Sequence, residues 1–138
     1  MSYNWGRRRN RLQVLASITT EPVANNKNHL GWILRAQILY DMNRLTEAVA
    51  SYDQALSINP RSLIALENKG LMCELLQDLD QALVCYDNFL SLNPNYAPVW
   101  YRRSVIKLRR DDISGCIFDL KQVIKLDKNA VNLVKKRS

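Results

Sequence analysis

Two stretches of this sequence nearly copy each other: SYDQALSINP at residues 51–60 and CYDNFLSLNP at residues 85–94. Tyr, Asp, Leu, Ser, Asn and Pro occupy the same places in both, and Pro94 repeats Pro60 at an interval of 34 positions. A fixed period of this length is typical of a repeat protein, in which each repeat is one supersecondary unit. The interval therefore predicts the fold class before any other feature is considered.

The period extends over three units. Residues of matching size recur every 34 positions in these sets: Trp32, Leu66 and Trp100; Ala36, Gly70 and Ser104; Ala48, Ala82 and Cys116; Tyr52, Tyr86 and Leu120; Ala55, Phe89 and Val123. Within a unit the apolar positions follow three- and four-residue steps, which is the spacing of one face of an α-helix. We expect three units, 29–62, 63–96 and 97–128, each made of two antiparallel helices.

Polar residues and prolines indicate where the helices begin and end. Asn28, Asp78 and Asp112 are suited to begin helices, because such side chains accept hydrogen bonds from free backbone N–H groups. The Asn-Pro pairs at 59–60 and 93–94 end the second helices, since the residue before proline is disfavoured in the helical region. One helix pair cannot bury its own apolar face, so the units must stack.

These spacings resemble the tetratricopeptide repeat family. The matching residues are Trp32, Ala36, Ala48, Tyr52, Ala55 and Pro60 in the first unit, Leu66, Gly70, Ala82, Tyr86 and Pro94 in the second, and Trp100, Ser104 and Leu120 in the third. The resemblance covers residues 29 to about 128 and implies an all-α fold, a right-handed α-α superhelix. It also implies a concave groove, lined by the first helices, that binds a peptide or helix of another protein. Members of the family often serve as scaffolds, adaptors or assembly factors, including those for photosynthetic complexes.

Helical spacing selects the candidate residues of that groove. They are Ile33, Gln37 and Tyr40 in the first unit, Glu67, Leu71 and Glu74 in the second, and Tyr101, Val105 and Leu108 in the third, with Asn68 and Arg102 at the edge. Apolar and aromatic groups would anchor a bound segment, and polar groups would fix its direction. The alternative is that these are ordinary surface residues.

One subfamily clamps the C-terminal carboxylate of heat-shock chaperones with five polar residues. Asn68 and Arg102 match two of those positions. Ile33, Gln37 and Pro98 stand where Lys, Asn and Lys are required. We therefore expect no tight clamp of that kind.

The net charge of +7 is unevenly placed, because both ends are basic and the second unit is acidic. The candidate basic patch comprises Arg7, Arg8, Arg9, Arg11, Arg103, Arg109 and Arg110. Such a patch favours nucleic acid or an anionic surface as an alternative partner. The acidic second unit would repel a nucleic-acid backbone laid along the groove. Basic residues that only keep a small protein soluble would explain the same charges.

A basic residue also recurs at one position of every unit: Arg35, Lys69 and Arg103. Stacked units would align these residues in a row. They would form either a ladder for an acidic partner or, as we favour, a set of charges solvated at their tips. Lys107 stands where the other units have Leu39 and Cys73, and we expect its stem to pack while its ammonium group reaches water.

The sequence does not indicate catalysis. His29 is the only histidine, and no nucleophile is placed beside it, so a surface or capping role is expected. Cys73, Cys85 and Cys116 are an odd number of cysteines without a CxxC spacing. This argues against a disulfide framework or a zinc site and favours the cytoplasm or another reducing compartment. We expect no enzyme activity, cofactor or metal.

The two ends are assigned separately from the units. Residues 1–28 are predicted to be a basic segment with a linker and a short helix that uses Leu12, Leu15 and Ile18. Residues 129–138 are predicted to form part of a capping helix. No run of about 18 apolar residues occurs, so we expect no membrane span.

Overall fold

The computed structural model describes residues 10–13 and 28–126. Residues 10–13 are helical, and residues 28–126 form six α-helices joined by short turns. The helices are α1 (His29–Asp41), α2 (Leu45–Ile58), α3 (Leu63–Leu75), α4 (Leu79–Leu92), α5 (Ala97–Arg109) and α6 (Ile113–Leu126). The predicted all-α fold of helix pairs is confirmed. The predictions for residues 1–9, 14–27 and 127–138, which include the end of the predicted third unit, lie outside the described residues.

The helix boundaries follow local side-chain chemistry. Asn28 accepts a hydrogen bond from the backbone N–H of Gly31 at 2.8 Å. Asp78 and Asp112 likewise accept from the backbone N–H three residues later, at 3.3 and 3.0 Å. These bonds satisfy N–H groups that have no partner within the helix, and they confirm all three predicted caps. Ser62, which the sequence analysis did not single out, caps α3 in the same way.

The turn inside each unit contains one residue in the left-handed region. These residues share one repeat position: Asn43 (φ 59°), Gln77 (φ 64°) and Asp111 (φ 59°). This conformation is unfavourable for a residue with a side chain, but Asn and Asp tolerate it better than other residues do. The turn at Gln77 is therefore the most strained of the three.

The core runs continuously from one unit to the next. Ile33, Leu39 and Tyr52 belong to a buried cluster in the first unit, and the second cluster is centred on the second unit and α5. Val49 and Leu56 of α2 pack against both clusters. Stacking thus buries the apolar faces that a single helix pair would expose.

None of the described helices is long and apolar enough to cross a membrane. Cys73, Cys85 and Cys116 are buried as free thiols. They therefore behave as small core side chains in this fold.

Candidate functional site: a pocket shared by the three units

A pocket of about 430 Å³ lies between the first helices of the three units. Its lining comprises Gln37 and Tyr40 of α1, Tyr52 of α2, Asn68, Leu71, Met72, Glu74 and Leu75 of α3, Gln77 of the turn, and Arg102 and Arg109 of α5. We refer to these residues as the concave pocket. Because all three units contribute to the lining, the pocket depends on the stacking of the units.

Glu74 links the concave pocket to the core. Its carboxylate accepts a hydrogen bond from the hydroxyl group of Tyr86 and lies 3.6 Å from Nη1 of Arg102. Burial, and after it the hydrogen bond to Glu74, raises the pKa of Tyr86. The hydroxyl group therefore keeps its proton and remains the donor. Glu74 is thus held between a buried tyrosine and an exposed arginine.

Several groups in the concave pocket are available to a ligand. Tyr40 is 47% exposed, and Arg109 has no salt-bridge partner within residues 28–126. The Nδ2 atom of Asn68 donates to the backbone oxygen of Ile64 at 2.8 Å, which leaves the side-chain oxygen facing no donor of the described chain. Burial raises the pKa of Tyr52 in the wall to about 12, so this hydroxyl group is also protonated at neutral pH.

The described residues contain no group of three His, Cys, Asp or Glu side chains that could hold a metal ion.

Comparison with known proteins identifies the repeat. A family model described as TPR repeat matches residues 36–77, and one described as tetratricopeptide repeat matches residues 64–96. The fold is similar to a tetratricopeptide repeat protein from Parabacteroides merdae, with a TM-score of 0.80 and 20% identity over 92% of this chain and 51% of that one. The chain therefore contains tetratricopeptide repeats.

Other relatives of this TPR protein share parts of it. It is 37% identical to the uncharacterized protein ycf37 of Pyropia yezoensis over 73 residues, which cover 53% of this chain and 38% of that protein. The chain therefore corresponds to less than half of that relative's length.

Two further solved structures share the fold. YrrB, a TPR protein with an unusual peptide-binding site, has a TM-score of 0.70 and 19% identity over 81% of this chain and 58% of YrrB. The second TPR of Spaghetti (RPAP3), bound to the HSP90 peptide SRMEEVD, has a TM-score of 0.67 and 14% identity over 75% of this chain and 95% of that one. At these identities the comparison shows a shared fold alone.

The structure brings most of the predicted groove residues of the TPR protein together. Five of the eight residues singled out as the site line the concave pocket: Gln37, Tyr40, Asn68, Leu71 and Arg102. Tyr101 is 54% exposed and Val105 is half-buried, and neither lines the pocket. Ile33 lies in the core instead of the groove. Only 3% of it is exposed, because it packs in the cluster that contains Leu39 and Tyr52.

Sequence reasoning missed part of the pocket lining. Leu75 and Arg109 were not assigned to the groove, although they occupy one repeat position, at the ends of α3 and α5. Each directly follows a residue that was assigned to the groove, Glu74 or Leu108. This shared position could have indicated that Leu75 and Arg109 belong to the lining. Gln77 also lines the pocket and has a left-handed backbone, and no feature of the sequence indicated either property.

The recurring basic residues are bonded within the protein. The pairs are Arg35–Ser51 (2.5 Å), Lys69–Asp53 (2.6 Å), Arg103–Asp87 (2.8 Å) and Arg103–Asp119 (2.8 Å). All four pairs join a first helix to a second helix. The tips of Lys69 and Arg103 are therefore neither solvated nor arranged as a free ladder for an acidic partner.

Lys107 also differs from its prediction. Its Nζ atom lies 3.3 Å from Oδ2 of Asp119, whose side chain is fully buried. A carboxylate removed from water requires cationic partners. The ammonium group is therefore directed at Asp119 in the third unit rather than only at solvent.

The described arginines of the predicted basic patch face different surroundings. Arg103 bonds to two aspartates, and Arg110 forms a salt bridge with Asp80 of α4. Arg109 lines the concave pocket, and Arg11 is half-buried in the helical residues 10–13. The remaining members, Arg7, Arg8 and Arg9, lie outside the described residues. Within the third unit, the patch is thus divided between internal ion pairs and the pocket.

Proposed function

We propose that this TPR protein is a non-catalytic adaptor that binds a peptide or helix of a partner protein in the concave pocket. The observation that carries the proposal is a pocket of about 430 Å³ that all three units line with aromatic, apolar and polar side chains. Peptide-binding grooves combine apolar anchors with a few polar groups that fix direction. Tetratricopeptide repeats typically mediate protein interactions and not catalysis, and two similar folds carry peptide sites.

The lining residues supply distinct interactions for an extended ligand. Tyr40 and Leu71 offer apolar surface for a side chain. The side-chain oxygen of Asn68 would accept a hydrogen bond from the ligand backbone. Arg109 offers its charge to a ligand carboxylate, because it has no salt bridge within the described helices.

A ligand that needs Arg102 competes with Glu74, which lies 3.6 Å from the guanidinium group. For this reason, and because three of the five clamp positions differ, we do not propose the chaperone-tail clamp. We propose a partner segment that joins this protein to a larger assembly. The three free buried thiols fit a reducing compartment such as the cytoplasm.

The proposal is tested by selecting peptides from a displayed library on the folded protein and measuring their affinity by fluorescence anisotropy. Tyr40→Ala, Asn68→Ala and Arg109→Ala are each expected to weaken binding at least about fivefold, which corresponds to about 1 kcal/mol. Asn88→Ala and Arg61→Ala are the matched controls, because both residues are exposed and lie outside the pocket. Peptides that bind the pocket variants as tightly as the wild type would reject the concave pocket as the site.

A second measurement distinguishes the proposed function from the alternative. The alternative is that the basic ends and the third unit bind nucleic acid or an anionic surface. The full chain is used to capture partners from a native extract with and without nuclease. Material that disappears with nuclease, and that is lost steeply as salt rises, would support the alternative. A protein partner that survives nuclease and is lost in the Asn68→Ala variant supports the proposed adaptor.

A further inference from the structure

The two junctions between stacked units share one type of ion pair. At the first junction, Lys69 of α3 lies 2.6 Å from Asp53 of α2. At the second, Arg103 of α5 lies 2.8 Å from Asp87 of α4. At both junctions the basic residue lies on the first helix of the later unit, and the acidic residue lies on the second helix of the unit before it. The sign of each partner is therefore the same at the two junctions.

Helix α6 is the second helix of the third unit, so it corresponds to α2 and α4, against which a following unit packs. Four apolar residues occupy positions that are buried or half-buried in α2 and α4, but in α6 they are exposed: Ile113 (53%), Ile117 (48%), Leu120 (37%) and Ile124 (57%). We call these residues the α6 face. Their equivalents at the second junction, Leu79, Leu83, Tyr86 and Leu90, are buried or half-buried in the second core cluster. The α6 face is thus suited to receive another helix.

The charge on this face is reversed. Lys121 occupies the position that is Asp53 in the first unit and Asp87 in the second. Lys121 is exposed on α6. A helix that repeats the internal junctions, with a basic residue at the contact, would therefore meet a like charge. Like charges that meet at an interface disfavour a partner and so contribute to specificity.

Two occupants that belong to this chain are disfavoured by the same position. A second copy stacked in register would bring Arg35 opposite Lys121, because Arg35 is equivalent to Lys69 and Arg103. The capping helix predicted for residues 129–138 would bring Arg137 there if it continued in the same register, because Arg137 follows Arg103 by one repeat period. An Asp or Glu of the partner would instead form an ion pair with Lys121. The charges of the two sides would then be opposite to those at the internal junctions.

We propose that the α6 face is a docking surface for an amphipathic helix of a different protein, which carries Asp or Glu at the position facing Lys121. The apolar stripe would bury the apolar side of that helix, and Lys121 would select its charge. None of these residues lines the concave pocket, so this surface is independent of the proposed peptide site.

The probe is the incoming helix of this chain, prepared as a synthetic peptide. Residues 62–76, which include α3 and its cap, are made with Cys73→Ser in two forms that differ only at position 69. One form keeps Lys69, and the other carries Lys69→Glu. Both are titrated into the isotope-labelled full chain, and the amide signals of α6 report binding by NMR.

The Lys69→Glu peptide is expected to bind the wild-type chain at least about fivefold more tightly than the Lys69 peptide. The Lys121→Asp chain carries an aspartate at this position, as α2 and α4 do with Asp53 and Asp87. It should therefore bind the Lys69 peptide more tightly than the Lys69→Glu peptide. Lys125→Asp is the matched control because it makes the same charge change on the same helix. Its equivalents, Ser57 and Ser91, are exposed on α2 and α4, so this variant should retain the preference for the Lys69→Glu peptide.

Five results would overturn the proposal. Equal affinity of the two peptides for the wild type, or a reversal in the Lys125→Asp chain, would show that Lys121 does not select the partner. Binding that appears only when Leu133 and Val134 are replaced by aspartate would make the C-terminal segment of this chain the occupant. Self-association in sedimentation that Ile117→Asp abolishes would make a second copy the occupant. Failure of both peptides on every chain would show that the face does not receive a helix.

Discussion

Arg103 holds the carboxylate of Asp119 with two nitrogen atoms: Nε lies 3.0 Å from Oδ2, and Nη2 lies 2.8 Å from Oδ1. Asp119 is fully buried, and Lys107 is a further cation beside it. A buried ion pair of this kind contributes little compared with apolar packing, but removal of one partner leaves an uncompensated charge in the interior. The third unit is therefore sensitive to the loss of Arg103.

Replacement of Arg103 by leucine is expected to lower the free energy of unfolding by about 3 kcal/mol, because the charge of Asp119 would lose its two strongest hydrogen bonds. Urea denaturation followed by circular dichroism measures the change. Arg109→Leu is the matched control on the same helix, and a change within about 0.5 kcal/mol is expected there. In the first unit Ser51 occupies the position of Asp119, so Asp119→Ser should recover part of the loss in a double variant. A double variant as unstable as Arg103→Leu alone would contradict this account.

A Cβ atom at Gly70 would overlap the ring of Tyr86, which is fully buried and bonded to Glu74. Gly70→Ala is therefore expected to lower the free energy of unfolding by about 1–3 kcal/mol, although alanine favours helices more than glycine does. The third unit has Ser104 and Leu120 at these two positions. Tyr86→Leu should accordingly reduce the cost of Gly70→Ala in a double-mutant cycle measured by urea denaturation. The same cost in both backgrounds would show that the tyrosine ring is not the obstacle.

Gln77 has a left-handed backbone with φ 64°. Glycine adopts this conformation without a Cβ clash, so Gln77→Gly is expected to raise the free energy of unfolding by about 0.5–1 kcal/mol. Asn43→Gly is the matched control at the same turn of the first unit, and its gain should be smaller because asparagine tolerates φ 59°. Thermal and urea unfolding of both variants test the comparison. A larger gain at Asn43 than at Gln77 would contradict the assignment of strain.

The fold could be predicted from the sequence because stacking requires side chains of similar size at equivalent positions of every repeat. A small residue such as Gly70 recurs where two helices approach closely, and a large one such as Tyr86 recurs where space must be filled. These constraints are local in the repeat, so the sequence displays them directly.

The site was less predictable because it depends on which side chains meet across helices. Ile33 and Gln37 lie one helical turn apart and were assigned to the same face, yet only tertiary packing places Ile33 in the core and Gln37 in the pocket. The bonds of Glu74 to Tyr86 and Arg102 likewise join three different helices. No period within one helix encodes such a contact, so charge partners remained unknown until the units were assembled.

The burial of Tyr52 makes the protein sensitive to alkali. Burial raises its pKa from 10.0 to about 12, so the folded state retains the hydroxyl proton at pH values where the unfolded state loses it. The contribution of Tyr52 to stability is therefore complete below about pH 10 and is lost as pH rises through 12, at up to about 1.4 kcal/mol per pH unit. We expect the free energy of unfolding of the wild type to fall over this window, and Tyr52→Phe to make the fall shallower. Urea denaturation at pH 8 to 12 provides the test, with Tyr101→Phe, a change at an exposed tyrosine, as the matched control. A fall as steep in Tyr52→Phe as in the wild type would show that Tyr52 is not the group responsible.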